Sequence, residues 1–220
     1  MITKKYTKDV PHTVAEELYK NITALRQTQS EVHIGLVGGR TIASICDILV
    51  TYDIEWKHIH LYMIDERLVP LDDSQSNFSI IQKHLCVPLG PKLPATNVHP
   101  FEYKADLPDF GVKEYESIVL GAQSALDIAL VSVGGDGHIA SLFPNHHSIK
   151  NDSIGYFSFD DSPKEPPHRM SISRKLFLQT KQVIGIVKGE EKKSALQNIF
   201  NDELTIYECP AKLIRYIPES

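Results

Sequence analysis

This sequence has few cysteines, no long apolar run and no cluster of basic residues. Each of these features argues against a class of protein. The three cysteines, Cys46, Cys86 and Cys209, are scattered and form no C-x-x-C pair, which argues against structural zinc and favours a reduced compartment. The N-terminal segment Met1–His12 has no apolar core, and no segment approaches the ~20 apolar residues of a membrane span. We therefore expect a cytoplasmic protein without a membrane anchor.

The charge of the chain is mixed and slightly acidic. Lys and Arg number 23 and Asp and Glu number 28, which gives a net charge of −5. No basic patch is present, so we expect no nucleic-acid partner and favour a small molecule. The 220 residues, 42% of them hydrophobic, suffice for one domain, 1–220, with a sizeable core. We expect a monomer or a weak homodimer.

Apolar runs and helical spacings alternate along the chain. The runs predict strands over Glu31–Val37, His58–Ile64, Leu126–Val133, Arg169–Ser173 and Val183–Val187. The helical spacings predict helices over His12–Leu25, Ile42–Val50, Phe78–Leu85, Lys113–Ala125 and Glu190–Phe200. The segments Pro88–Asp109 and Asn145–His168 are expected to be irregular. This alternation predicts a single-domain, Rossmann-like α/β fold with a mainly parallel sheet and helices on both faces.

The segment VSVGGDGHIASLFP, residues 131–144, is the most informative part of the sequence. It places Asp136 and His138 in a glycine turn directly after an apolar strand, at the sheet edge where α/β proteins bind ligands. Histidine is the side chain best suited to move protons near neutral pH. The following IASLF is expected to begin a helix. A solvated turn is the alternative, and we favour the functional interpretation.

The first strand ends in a second glycine turn, Gly38–Gly39–Arg40–Thr41, which precedes a helix. Amides at a helix N-terminus favour an anion such as phosphate, and Thr41 adds a hydroxyl. A tight turn with a helix cap explains the same residues equally well. The glycine spacing is not G-x-G-x-x-G, so a dinucleotide site is not expected.

Further charged residues follow the predicted strands. Asp65–Glu66–Arg67 follows one strand, Arg169 begins another, and Lys192 lies in the first turn of a helix, where a cation needs a partner such as a phosphate. For Asp65–Glu66–Arg67 and for Lys192, a solvated surface charge is the alternative. The remaining histidines form no H-E-x-x-H or comparable set, so we expect no metal site.

Four motifs of this chain resemble the 6-phosphogluconolactonases, the lactone hydrolases of the pentose phosphate pathway, and they follow the same order along the sequence. Gly134–Pro144 resembles the family's central signature, and Asp65–Pro70 with Ser76–Asn77 resembles its DER-x-VP…SN segment. Gly38–Gly39 resembles its phosphate loop, and Val187–Lys192 resembles its late TGxxK segment. Order and spacing agree from about residue 30 to about residue 215.

Differences in two of the motifs refine this resemblance. Glucosamine-6-phosphate deaminases share the superfamily but have a Glu five residues after the histidine, where this chain has Phe143. That difference favours the lactonase. The lactonase phosphate loop usually reads GGS-T-P, whereas this chain has Arg40 in place of the serine and Ile42 in place of the proline. Whether Arg40 helps or obstructs phosphate binding stays open at the level of sequence.

The resemblance implies a mechanism without metal or cofactor. The substrate is 6-phosphoglucono-1,5-lactone, with His138 as general base, Asp136 or Asp65 orienting it, and Arg67 stabilising the oxyanion. The phosphate site is expected to comprise Gly38, Gly39, Arg40, Thr41, Arg169 and Lys192. The alternatives are a non-catalytic sugar-phosphate binder, a deaminase-like enzyme and, more remotely, a nicotinamide-dependent dehydrogenase.

Overall fold

The computed structural model describes residues 7–122 and 125–217, which form two sheets. A parallel sheet has the strand order β4–β2–β1–β5–β8. A smaller antiparallel sheet has the order β3–β7–β6. The strands are β1 Val32–Leu36, β2 Ile59–Met63, β3 Asp65–Arg67, β4 Val98–His99, β5 Ile128–Ser132, β6 Tyr156–Phe159, β7 Arg169–Ile172 and β8 Gln182–Ile186. The predicted α/β class, with its mainly parallel sheet, is confirmed.

The helices bury one apolar stripe each. In the first helix, Asp9 caps the N-terminus by accepting from the amide of His12, and Ala15, Leu18 and Ile22 are buried at helical spacing. The helices are α1 Val10–Arg26, α2 Arg40–Leu49, α3 Asn77–Ile81, α4 Val87–Leu89, α5 Val112–Ala122, α6 His147–Lys150, α7 Arg174–Phe177 and α8 Lys193–Ile199. Within the described residues no helix is long and apolar enough to cross a membrane.

Two sequence-based predictions on the central segment and its surroundings are wrong. Residues 139–143 do not begin a helix, because the amide of Leu142 bonds back to the carbonyl of Ile139 and Ala140 takes a left-handed φ of +49°. The segment 145–168 is not wholly irregular, since α6 and β6 lie in it.

Three further predictions need correction at the level of element placement. Asp65–Arg67 is a strand rather than a loop entry, and it pairs with β7 in the smaller sheet instead of extending the parallel one. The segment 88–109 contains β4, a two-residue edge strand. The helix predicted from Glu190 begins as a single 3-10 turn, Glu190–Lys192, before α8. The last residues of the helix predicted to end at Ala125 fall partly outside the described residues.

The parallel register aligns the carboxyl ends of the central strands. Leu36 pairs with both Met63 and Leu130, and Ser132 pairs with Ile186. The turns that follow β1, β2, β5 and β8 therefore lie along one edge of the sheet. This edge carries the glycine turns and charged residues that the sequence singled out.

A stack of aromatic rings crosses the other half of the sheet. His33 stacks on His60 at 4.8 Å between ring centroids, and His60 stacks on His99 at 5.4 Å. Tyr62 completes the stack, 4.5 Å from His99, and its hydroxyl lies 3.0 Å from Nδ1 of His33. Burial, followed by the charges of His60 and His33, lowers the pKa of His99 to about 4, and burial also lowers that of His33.

This stack predicts acid sensitivity. Because the folded-state pKa of His99 lies below its ordinary value of 6.5, the unfolded chain binds the proton first as pH falls. The stability that comes from keeping His99 neutral is therefore fully present above about pH 6.5 and is lost progressively as the pH falls towards 4. We expect the urea midpoint to fall between pH 7 and pH 4.5, and to fall less in His99→Phe. The exposed His12→Gln serves as the control, and an equal fall in all three proteins would contradict the prediction.

Candidate active site

The centre of the site is an Asp–His pair in the turn after β5. Nδ1 of His138 lies 2.5 Å from Oδ1 of Asp136, which also accepts the backbone amide of His138 at 3.2 Å. An ionised carboxylate only accepts hydrogen bonds, so Nδ1 carries the proton and Nε2 has the free lone pair. The two side chains are 24% and 32% exposed, so the pair is accessible to a small ligand.

Glycines make this arrangement possible. A Cβ at Gly134 would lie 2.1 Å from the ring of His138, and a Cβ at Gly137 would lie 2.9 Å from the sulfur of Cys209. Gly137 also has a φ of +88°, which side chains other than glycine rarely adopt. The turn is closed by the amide of Gly137 donating to the carbonyl of Gly134. The backbone thus presents the imidazole from a fixed loop.

Asp136 is held in its ionised form. Burial raises its pKa, but the hydrogen bonds and charge of His138 and the charge of Lys164 outweigh this and bring the pKa well below its usual value. Nζ of Lys164 lies 3.3 Å from Oδ2, the oxygen that His138 does not use. The carboxylate therefore stands between an imidazole and an ammonium. Lys164 could not be predicted as part of this site, because it lies 28 residues beyond Asp136 in a polar segment.

Asp65 lies in the same region but has other partners. Its Oδ2 accepts from the hydroxyl of Ser141 at 2.8 Å, and Nδ2 of Asn77 donates to its carbonyl at 3.0 Å. A Cβ at Gly38 would lie 2.1 Å from Oδ1 of Asn77. These contacts connect the first glycine turn to the segment that follows His138. Of the two aspartates considered for orienting His138, the structure places Asp136 against it.

Glu66 anchors the segments around Asp65, a role that was not predicted from the sequence. It is 0% exposed, and its carboxylate accepts the amides of Arg67, Asn77 and Phe78 at 2.6 to 2.8 Å. The hydroxyl of Ser76 donates to it at 3.1 Å. Burial raises its pKa, and the backbone hydrogen bonds oppose that shift. Glu66 therefore fixes the start of α3 against β3, and with it the position of Asp65.

The turn before α2 has the features of an anion site. Gly39 has a φ of +116° and caps the helix without a side-chain hydrogen bond, so no capping side chain occupies the first amides of the helix. A Cβ at Gly39 would meet nothing within 4 Å, so the approach is open. Arg40 is exposed at the first position of the helix, and Thr41 is half-buried beside it.

The three remaining predicted cations differ in how their side chains are engaged. Lys192 donates to the hydroxyl of Ser132 at 3.3 Å, and burial lowers its pKa against the charges of Glu191 and Asp136. Arg67 donates to the carbonyl of Gln75 at 2.5 Å. Arg169 is 4% exposed and pairs with Arg67 across β3 and β7.

Arg169 is engaged by backbone carbonyls. Its Nε donates to Pro166 at 2.7 Å, and its Nη2 donates to Glu165 at 2.9 Å and to Lys164 at 3.2 Å. Burial lowers its pKa, which the charge of Asp65 opposes. The structure therefore shows Arg169 holding the loop between β6 and β7 and leaves its part in phosphate binding a prediction.

One group of side chains among the described residues lies close enough together to share a metal ion, namely His146, His147 and Asp161. Nδ1 of His146 accepts the amide of Ser148 at 3.2 Å, so its Nε2 carries the proton in the neutral ring. That nitrogen lies 3.3 Å from Oδ1 of Asp161 without forming a hydrogen bond, and in this tautomer it has no lone pair for a metal. His147 is the histidine that hydrogen-bonds to Asp161, at 2.7 Å. The tautomer of His146 therefore argues against a metal site here.

Comparison with known proteins agrees with this geometry. The model of the family described as glucosamine-6-phosphate isomerases/6-phosphogluconolactonase matches residues 5–219. The chain belongs to this family. A 6-phosphogluconolactonase from Borreliella burgdorferi is 33% identical over 187 residues, which cover 84% of this chain and 80% of that protein.

Solved structures of the family share the fold. A crystal structure of 6-phosphogluconolactonase from Thermotoga maritima superimposes with a TM-score of 0.81 at 27% identity. The match covers 96% of this chain and 91% of the other. The family assignment drawn from the four sequence motifs is therefore confirmed.

Proposed function

We propose that this protein hydrolyses 6-phosphoglucono-1,5-lactone to 6-phosphogluconate in the oxidative pentose phosphate pathway. The observation that carries the proposal is the 2.5 Å contact between Asp136 and Nδ1 of His138, which leaves Nε2 free to accept a proton. A histidine oriented in this way by a carboxylate is suited to general-base catalysis. The named relatives of this chain are lactonases.

The proposed reaction has two steps. Nε2 of His138 takes a proton from water while the water oxygen bonds to C1 of the lactone, which gives a tetrahedral oxyanion. Asp136 stabilises the imidazolium, and Arg67 with nearby backbone amides stabilises the oxyanion. The bond from C1 to the ring oxygen then breaks, and the imidazolium returns its proton to that oxygen. The product is the open-chain acid.

The proposed phosphate site lies at the turn before α2. The amides from Gly38 to Thr41 would receive the phosphate oxygens, since that helix end has no side-chain cap. Lys192 would add charge from the turn after β8, and Arg169 would do so from β7. No step of this scheme calls for a metal or a cofactor.

The choice between lactonase and deaminase rests on Phe143. This residue is 1% exposed and packs on His138 with 4.9 Å between ring centroids. It can transfer no proton, whereas the deaminases have a carboxylate at this point of the motif. The test supplies the protein with freshly prepared 6-phosphogluconolactone and, separately, with glucosamine-6-phosphate. We expect acid release above the spontaneous rate from the first and no ammonia from the second.

Binding of 6-phosphogluconate without any turnover would instead support a non-catalytic sugar-phosphate binder. The structure favours the enzyme because the Asp136–His138 pair is intact and accessible. Ammonia release would support the deaminase-like alternative. Reduction or oxidation of a nicotinamide cofactor would support the dehydrogenase alternative. The first glycine turn does not have the G-x-G-x-x-G spacing of a dinucleotide site.

Arg40 is expected to strengthen substrate binding. Because it is exposed at the first position of α2, its guanidinium can reach a phosphate held by the amides of that turn. We expect Arg40→Ser to raise KM about tenfold and to leave kcat nearly unchanged, as for loss of one charge-assisted contact of ~1.4 kcal/mol. Steady-state kinetics on both proteins measure this. A lower KM in Arg40→Ser would show that Arg40 obstructs the site.

The compartment and the assembly state are also proposals. We propose that the protein is cytoplasmic and acts as a monomer or a weak homodimer. Its three cysteines are free thiols in the structure, which fits a reducing compartment. Cell fractionation tests the location, and light scattering over a range of concentrations tests the assembly state.

A further inference from the structure

The loop between β6 and β7 brings a cation to the catalytic pair. This loop, residues 160–168, contributes Lys164, whose Nζ lies 3.3 Å from Oδ2 of Asp136. The other oxygen of Asp136 is bonded to His138. The carboxylate is thereby held from two sides, and only one of the two partners belongs to the turn after β5.

The backbone at Lys164 is fixed by several hydrogen bonds. Its carbonyl accepts from Nη2 of Arg169 at 3.2 Å and from the hydroxyl of Ser162 at 2.9 Å. Its amide donates to the oxygen of Ser162 at 3.1 Å, and the amide of Ser162 donates to the carbonyl of Pro167. Arg169 also binds the carbonyls of the next two residues. A buried arginine thus fixes the segment that presents the lysine.

Stability does not explain this arrangement. The side chain of Lys164 is 50% exposed, and ion pairs with one partner so exposed contribute little to folding. A charge close to a proton-transfer pair, however, changes the balance between imidazole and imidazolium. The charged and titratable groups around Asp136 are His138, Lys164, Lys192 on the turn after β8, and Cys209 beside Gly137.

We propose that Lys164 is a positioning residue for catalysis, which acts through Asp136. It holds Oδ2, so that Oδ1 remains aligned with Nδ1 of His138. Arg169 serves the same end by fixing the loop. This inference rests on the proposed hydrolysis of the lactone.

The test is a double-mutant cycle with Asp136. We expect Lys164→Met to lower kcat about 3- to 5-fold, the scale of a half-exposed charge pair, with KM within 2-fold. Because a neighbouring cation disfavours the imidazolium, its removal moves the acid limb of the kcat/KM profile to higher pH. Lys164→Arg, which keeps the charge, restores at least half of the lost rate.

The decisive comparison uses the Asp136→Asn background. If Lys164 acts through Asp136, adding Lys164→Met to Asp136→Asn lowers kcat no further. An equal loss in both backgrounds would overturn the proposal, because the lysine would then act on the substrate or the fold. An unchanged kcat and pH profile in Lys164→Met alone would overturn it as well.

A control variant separates this inference from the proposed function. Lys20→Met removes an exposed lysine 2.6 Å from Glu16 on α1, and it should leave the rate and the pH profile unchanged. If the wild-type protein does not hydrolyse the lactone, the proposed function fails. If wild type and Lys20→Met are active and Lys164→Met matches them, only the role of Lys164 fails.

Discussion

His138→Ala is expected to lower kcat for lactone hydrolysis by about 10²- to 10⁴-fold, the usual contribution of a general base. The imidazole has a free Nε2 because Asp136 holds Nδ1. Affinity for 6-phosphogluconate should change little, since the proposed phosphate site lies in the turn before α2. Steady-state kinetics and calorimetry measure the two quantities.

A matched control for this variant is available on the surface. His84 pairs with Asp47 at 2.8 Å, with side chains 27% and 57% exposed, and resembles the Asp136–His138 pair in chemistry alone. His84→Ala should leave kcat unchanged. A His138→Ala protein that keeps the wild-type kcat would remove His138 from the mechanism.

Glu66→Ala is expected to have the largest effect on stability. The substitution leaves three backbone amides, two of them buried, and the buried hydroxyl of Ser76 without their acceptor. Each unsatisfied buried group costs about 1–3 kcal/mol, and relaxation makes the sum less than additive. We expect a loss of about 3–5 kcal/mol in the free energy of unfolding, measured by urea denaturation followed by circular dichroism.

The comparison for Glu66 is an exposed glutamate. Glu114 pairs with Lys104, and its side chain is 58% exposed, so Glu114→Ala should cost about 0.5 kcal/mol or less. If the two alanine variants unfold at the same urea concentration, the carboxylate of Glu66 is not the anchor that its hydrogen bonds indicate.

The central part of the site could be predicted from sequence because its signals are local. An apolar run followed by glycines around Asp136 and His138 predicts both the strand end and the turn, and the structure has both. The alignment of strand ends follows from the parallel order of the sheet. For the same reason the turn at Gly38–Thr41 could be assigned to the ligand edge.

The parts that escaped prediction depend on contacts between distant segments. Ser141 reaches Asp65 across 76 residues, and Asn77 joins that aspartate to the first glycine turn. The antiparallel strands β3 and β6 are three and four residues long, too short to show an apolar alternation. The strand β7 was predicted, but its pairing with β3 and β6 was not. Their pairing nevertheless decides where Arg169 and Lys164 lie.

The helix wrongly predicted after His138 shows the same limit. The residues of IASLF have ordinary helix propensities, but Ser141 must face Asp65 and Phe143 must face His138. The left-handed Ala140 and the bond from Leu142 to Ile139 achieve this with a tight turn. Tertiary contacts here outweigh local preference, which amounts to less than about 1 kcal/mol per residue.

The most direct test of the central claim is the initial rate of proton release from freshly prepared 6-phosphogluconolactone near pH 7. Wild-type protein and His138→Ala are measured at the same concentrations beside the spontaneous reaction. We predict that the wild-type rate rises in proportion to protein concentration and that the His138→Ala rate stays close to background. A wild-type rate that equals the spontaneous rate at every concentration would contradict the assignment of this protein as a lactonase.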